Sequence, residues 1–227
     1  MLLSKFLVAT VLVVGSVLSL SVASVAQSAK DSTLTTVRRT DSRDGNNKLL
    51  RLTPDEHLRR AKVYLSNRAF EEAREHWLAL ISFYPNDPAV AEALLGIGRS
   101  FQQSRRYAEA SATYDDLFRR FSSTKEGREG LNFNAAALTR MGRPGEAVEK
   151  YAEYIRLFPN GERIDTAHLN IIDTLREAGR PDEAITWVGR TRQRFAGTVT
   201  ETNAGSQNCG WTSRKVTGSR QWLRPMS

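Results

Sequence analysis

The sequence predicts an all-α fold, an α-solenoid of about four helix-turn-helix repeats with a 37-residue period, over residues 54–196. Three observations predict it. A Glu-Ala pair recurs at 72–73, 109–110, 146–147 and 183–184. Other columns keep the same spacing: aromatic Tyr84, Phe121, Phe158 and Phe195; large apolar Trp77, Tyr114, Tyr151 and Val188; apolar Tyr64, Phe101, Leu138 and Leu175; mostly small Ala61, Gly98, Ala135 and Ile172. Helix start and stop signals fall between these columns, and no stretch alternates like a strand. Several columns at one period mark a repeat array.

Each unit reads as two helices. Thr53-Pro54-Asp55-Glu56 offers a capping Thr, a proline at the first helical position and a Glu three residues after the cap, which opens a helix near 54–67. Its partner runs near 70–84 and stops at Pro85. Asp87-Pro88 opens 88–103, followed by 107–121. Ser123 with Glu126 opens 125–141. Gly142-Arg143-Pro144 ends that helix and begins 144–158, where Ala147, Tyr151, Tyr154 and Phe158 share one helical face. Pro159 stops it. The last pair is 162–178 and 181–195, split by Gly179-Arg180-Pro181. One such pair cannot bury its own apolar stripe, so four must stack into a continuous core. The Ala of each Glu-Ala pair marks a close helix contact, and the aromatic four residues later fills the neighbouring turn.

These columns resemble the tetratricopeptide repeat. "GRPGEAVEKYAEYIRLFPN" (142–160) matches closely and "GRPDEAITWVGRTRQRF" (179–195) more loosely. Arg60 departs, standing where the family has a large apolar residue. The period is longer than the family's 34, and with "YPNDP" and "FPNGE" between units it resembles repeats of bacterial envelope proteins. Three groups carry such lengthened repeats. They are the lipoprotein of the outer-membrane β-barrel assembly machine, the periplasmic cell-division coordinator, and the N-terminal superhelix of soluble lytic murein transglycosylases. The resemblance implies a concave groove lined by the first helix of each pair. Carried over residue by residue, that groove contains Leu58, Lys62, Leu95, Arg99, Gln102, Asn132, Arg140, Leu169, Asp173 and Arg176. Its several cations fit an acidic segment or a C-terminal carboxylate.

The flanks do not repeat. Lys5, the uncharged apolar run Phe6–Leu20 and the small residues Ser21, Ala23, Ser24 and Ala26 read as a secretory signal peptide, 1–26, cut after Ala26. Fifteen apolar residues fall short of the ~20 of a membrane span, and no Cys lies near the cut to carry a lipid. The expectation is a periplasmic or secreted protein with no membrane span after cleavage. Residues 27–53, rich in Ser, Thr, Asp, Asn and Arg, read as a flexible basic linker. Residues 198–204 offer the start of a fifth unit. After Ala204 the pattern breaks into an irregular basic tail, 197–227 in all, which leaves two readings open. One is a disordered tail. The other is a frameshift: 26 Arg against 7 Lys point to a GC-rich gene. A frame two bases on permits "QPELRLDVAEGDWQPAVAAADV", with its Gly and Ala where the repeat needs them. An array without a polar cap exposes an apolar edge, with weak self-association as the consequence.

The formal charge of +8 invites a nucleic-acid reading, but residues 54–196 hold 22 Lys and Arg against 21 Asp and Glu. The excess sits in the flanks, so no basic domain face supports nucleic-acid binding. His57, His76 and His168 lie far apart in sequence, with no metal-ligand spacing, and His76 and His168 read as interface or surface residues. "GIGRS" (96–100) lies inside a helix and is no phosphate loop. Adjacent acids such as Glu71/Glu72 diverge on a helix. The general-acid Glu-Ser of a transglycosylase catalytic module does not occur. The expected function is therefore a non-catalytic periplasmic scaffold without cofactors, binding a protein or peptide partner in cell-envelope or peptidoglycan machinery. The alternative is the solenoid of a transglycosylase-like enzyme separated from its catalytic domain.

Overall fold

The structure, a computed structural model, describes residues 32–206. It is an all-α repeat solenoid. Helix α1 spans 32–40. The eight repeat helices follow as α2 (Pro54–Ser66), α3 (Phe70–Phe83), α4 (Ala89–Gln103), α5 (Tyr107–Phe121), α6 (Lys125–Arg140), α7 (Pro144–Leu157), α8 (Ile164–Glu177) and α9 (Pro181–Arg194). A last helix, α10, spans 199–206. The expected signal peptide at 1–26 and tail residues 207–227, with Cys209 and two tryptophans, lie outside the described residues. The chain divides into two compact units at Gly96/Ile97, inside α4.

The repeat recurs in backbone detail. Helices α2, α4, α6 and α8 each end on a residue with positive φ: Arg68 (61°), Arg105 (60°), Gly142 (72°) and Gly179 (70°). The next N–H bonds back five residues each time, Ala69 to Tyr64, Arg106 to Phe101, Arg143 to Leu138 and Arg180 to Leu175. This closes the orphan carbonyls of the helix end. The Glu of the Glu-Ala pair also has a reason. In three units it clamps the arginine that precedes its own helix: Arg106–Glu109 at 2.8 Å, Arg143–Glu146 at 2.6 Å and Arg180–Glu183 at 2.6 Å. The Ala buries itself completely or nearly so in all four units. One cap shifts by a residue from the expected place. Thr124, not Ser123, accepts from Gly127 N–H at 3.0 Å and opens α6.

In the first unit the structure differs from expectation. Residues 32–53, expected as a flexible linker, fold onto the first helix pair. Helix α1 buries Val37, and a tight turn through Asn47 returns the chain to bury Leu49. Arg43 and Leu49 bridge that turn. Arg38 of α1 pairs with Glu72 at 2.8 Å, supplying the cation that Ala69 does not. Asp41 binds the buried Arg60 and the Tyr64 hydroxyl, and receives His76 Nε2 at 3.1 Å. Arg60, the departure from the repeat pattern, is therefore a placed residue with its counter-charge in the leader. Burying an unpaired guanidinium would be prohibitive. The indole of Trp77 lies against Gly96, where no side chain would fit.

In the second unit Gly98 lets the Tyr114 ring approach the backbone of α4. The core then runs through Leu131, Ala135, Tyr151, Tyr154, Ala167, Ile171, Leu175 and Ala184. Asn134, another polar residue in an apolar column, is satisfied by α5. It accepts from Ser111 Oγ at 2.6 Å and donates to Asp115 Oδ1 at 2.6 Å. Helix α10 begins a fifth unit in phase: Ala204, 37 residues after Ala167, packs on Ile172 and Val188. It covers part of the edge expected to be bare.

Candidate functional site

The ten predicted groove residues separate by burial. In the first unit Leu58 and Leu95 are buried, so they pack rather than present themselves to a ligand. Lys62 is exposed and pairs with Glu92 at 2.6 Å. In the second unit Asn132 falls in the same column as those leucines. It is 7% exposed, and neither amide atom has a hydrogen-bond partner among the described residues. Leu169 is half-buried against Ile172, Val188 and Ala204. Gln102 is engaged with the core, accepting from the Tyr114 hydroxyl at 2.9 Å.

The remaining residues meet in two places. The first is a cleft of about 240 Å³ between α6 and α8, lined by Thr139 and Arg140 on one side and Asn170, Asp173 and Glu177 on the other. Tyr151 of α7 lies at its base and accepts from Asn170 Nδ2 at 3.2 Å. Burial pushes the Tyr151 hydroxyl up to about 12, so it is a neutral hydrogen-bonding group at physiological pH. Asp173 is held by Arg176 at 3.0 Å. Arg140 has no acidic partner among the described residues. Two predicted residues, Arg140 and Asp173, thus share a site.

The second place gathers residues that the repeat columns do not mark. Arg99 pairs with Glu129 at 3.0 Å and lies over the Phe133 ring, 5.0 Å from its centroid. Arg163 lies over the same ring at 5.6 Å. Tyr114 stacks on Phe133, with centroids 5.7 Å apart. Beside them opens a cleft of about 460 Å³ between the first turn of α6 and the α7–α8 loop, lined by Lys125, Arg128, Glu129, Phe158, Glu162 and Arg163 among others. Its cations outnumber its two carboxylates. Guanidiniums on an aromatic floor suit a ligand with carboxylates and apolar segments. Phe133 has Arg59, Gly96 and Asn170 at the matching positions of the other units, so no shared column reveals it. Arg163 precedes α8 and lies off its periodic face.

Among the described residues no group of three His, Cys, Asp or Glu could hold a metal ion. All three histidines are buried. His168 Nδ1 faces Thr191 Oγ1 at 3.1 Å, and burial, followed by the charge of Arg194, pushes it down to about 4. No helix among the described residues is long and apolar enough to cross a membrane.

Repeated helix pairs carrying a cation-rich cleft with an aromatic floor define an interaction module. The tetratricopeptide repeat family description matches three overlapping stretches, 58–123, 95–162 and 135–196, more than half of the chain. The chain belongs to the tetratricopeptide repeat family, whose domains bind protein partners. No curated protein matches. Among solved structures it is similar to a MamA protein, with 14% identity over 89% of this chain and 91% of that one, and a TM-score of 0.55. It is also similar to nearly identical repeats of a kinesin light chain homologue from Podospora anserina, at 13% identity over 75% and 91% of the two chains, TM-score 0.57. A tetratricopeptide repeat protein from Parabacteroides merdae gives 17% identity over 84% and 69%, TM-score 0.53. At these identities the likeness is one of fold.

Proposed function

We propose that this protein is a non-catalytic scaffold, exported to the bacterial periplasm, that organises cell-envelope or peptidoglycan machinery by holding an acidic segment of a partner protein. The observation that carries the acidic preference is the convergence of Arg99 and Arg163 on the Phe133 ring, with the unpaired Arg140 on the same helix, α6. Each guanidinium is open enough to turn its fork to a carboxylate, and the ring offers an apolar neighbour. Export rests on the apolar run and small-residue site of the first 26 residues.

The test is fluorescence anisotropy with a labelled peptide rich in Glu and Phe, against wild type and the Arg99→Glu/Arg140→Glu variant. The variant is expected to bind at least tenfold more weakly while its circular dichroism melt is unchanged. Equal affinity rejects the groove assignment. Export is read separately, by fractionation and by mass spectrometry of a mature N-terminus at Gln27.

The alternative function, the solenoid part of a transglycosylase-like enzyme, draws support from α10, which starts a further unit in phase. Resequencing the gene past codon 204 distinguishes the two. A shifted open frame with more 37-residue units and a Glu-Ser catalytic module favours the enzyme.

A further inference from the structure

We propose that residues 32–53 are a strap held on α2 and α3 by a directed hydrogen-bond chain through two neutral histidines, and that adding a proton to this chain releases the strap. The chain starts and ends in the strap. The Leu52 backbone N–H donates to His57 Nε2 at 3.3 Å. His57 Nδ1 faces His76 Nδ1 at 3.1 Å. His76 Nε2 faces Asp41 Oδ2 at 3.1 Å.

Only one arrangement of protons satisfies all three contacts. A backbone amide only donates, so His57 Nε2 carries a lone pair and its proton sits on Nδ1. His76 Nδ1 must accept that proton, which leaves the His76 proton on Nε2. There it donates to the carboxylate of Asp41. A second proton on His57 sets N–H against the Leu52 N–H. A second proton on His76 sets N–H against N–H between the two rings. Either one breaks a link and leaves two donors face to face in a dry site, since His57 is 0% and His76 1% exposed.

The groups around the rings reinforce this. From α2, Arg60 is a standing cation beside both rings, and the Tyr64 ring stacks on His76 at 5.5 Å. Glu56 on α2, bound by Arg59 and Arg60, is held down to about 2. From α3 come Glu75, which pairs with Arg43 of the strap, and the Phe83 ring on His57. Asp41 is held below the usual carboxylate range by Tyr64, Arg60 and His76 against its own burial. Of the groups in the hydrogen-bond chain itself, Asp41 is therefore already a carboxylate below pH 6.5, and the two histidines are the ones left to take up a proton. Burial, then the charges of His76 and Arg60, push His57 down to about 4, and burial pushes His76 down too.

Each histidine binds its proton less readily in the closed form than at its ordinary value near 6.5, so the closed form is favoured above 6.5 and weakened as pH falls towards 4. For His57 the closed-to-open ratio falls about tenfold per pH unit and at most about 300-fold over the whole window, and His76 shifts it in the same direction. Opening frees Val37 and Leu49 from the first helix pair.

Two measurements on the wild-type protein test this. Long-range nitrogen–proton NMR at pH 7 is expected to show His57 protonated on Nδ1 and His76 on Nε2. Any other tautomer pair overturns the chain. Hydrogen exchange followed by mass spectrometry, corrected for intrinsic rates, is expected to show protection of 32–53 falling at least 30-fold from pH 7 to 4.5. Peptides of α5, which carries no histidine, serve as the reference. Strap protection that keeps pace with α5 overturns release. Asp41→Ala is expected to abolish strap protection already at pH 7 and leave α5 unchanged; a strap still protected in that variant also overturns the proposal.

Discussion

The first and the last helix pairs share a histidine at one repeat position and differ at two positions packed around it. His57, Arg60 and His76 in the first unit correspond to His168, Ile171 and Trp187 in the second. In the last pair the site is mostly dry packing. Trp187 and Phe195 present ring edges to His168, and only Thr191 bonds to it. In the first pair the same positions hold a polar cluster, and every polar member is satisfied because the leader brings Asp41 and the Leu52 amide. The difference teaches that the first unit can bury a guanidinium in a repeat column because groups outside the column supply its partners. Asn134 is likewise satisfied by Ser111 and Asp115, whereas Asn132 is buried with no partner for its amide among the described residues.

The sharpest way to break that contrast is to remove the partner. Asp41→Ala leaves the buried Arg60 guanidinium with Glu56 alone, and leaves the Tyr64 hydroxyl and the His76 Nε2–H facing nothing, which costs roughly 3–5 kcal/mol of first-unit stability. Arg60→Ile, which installs the residue found at 97 and 171, instead leaves Asp41 without its counter-charge, bonded only by Tyr64 and His76, and is also destabilising. The double variant is expected to recover at least about 2 kcal/mol relative to the sum of the singles. Additivity within error in urea denaturation would show that the leader does not hold Arg60 as described.

A second contrast lies between bulk and its complement. Gly98 admits the Tyr114 ring, whereas Ile172 in the same column packs with Val188. Gly98→Ala places a methyl inside the Tyr114 ring and is expected to cost about 1–3 kcal/mol. Adding Tyr114→Val, which copies the last pair, should return part of it. A neutral Gly98→Ala in a urea titration would refute the close approach.

That column also shows how much is legible from residues alone. Eight helices follow from the recurring columns and the start and stop signals between them, because each column is a packing requirement that repeats. The leader is illegible for the same reason. It belongs to no column, and its two buried apolar residues, Val37 and Leu49, are too few to make a period. Arg60 is visible as an anomaly, but its partner Asp41 lies 19 residues away in a segment with no pattern. At the candidate site, Arg99, Arg140 and Asp173 follow from the resemblance to the repeat family, which implies the groove face of the first helices. The same face assigns Leu58 and Leu95 to the groove, yet they are buried. Phe133 and Arg163 escape because neither sits in a shared column.

The two histidines at one repeat position also separate by pH. His168 titrates at about 4 in the folded chain against about 6.5 unfolded, so second-unit stability falls as pH drops through that window. A loss of about 1–2 kcal/mol between pH 6.5 and 5 is expected. His168→Leu, the residue at 94 and 131, removes this slope in the second unit. It leaves the first unit's acid response intact. A slope unchanged in His168→Leu, read by hydrogen exchange at α8 and α9, would contradict the assignment.

The smallest effect concerns the ends of the first helices. Arg68 and Arg105 occupy the left-handed position that Gly142 and Gly179 occupy in the later units. A residue with a β-carbon is disfavoured there by about 1 kcal/mol, offset in part by the greater freedom glycine has when unfolded. Arg105 is exposed and forms no hydrogen bond or ion pair through its side chain among the described residues. Arg105→Gly is therefore expected to stabilise the second unit by about 0.5 kcal/mol, and Gly142→Arg to destabilise it by about 1 kcal/mol. The asymmetry matters because the bond these turns protect, from the residue after the turn to the carbonyl five residues back, is the same in all four units. If Arg105→Gly lowers the urea midpoint instead, the arginine contributes through its side chain, and the turn geometry alone does not explain its place.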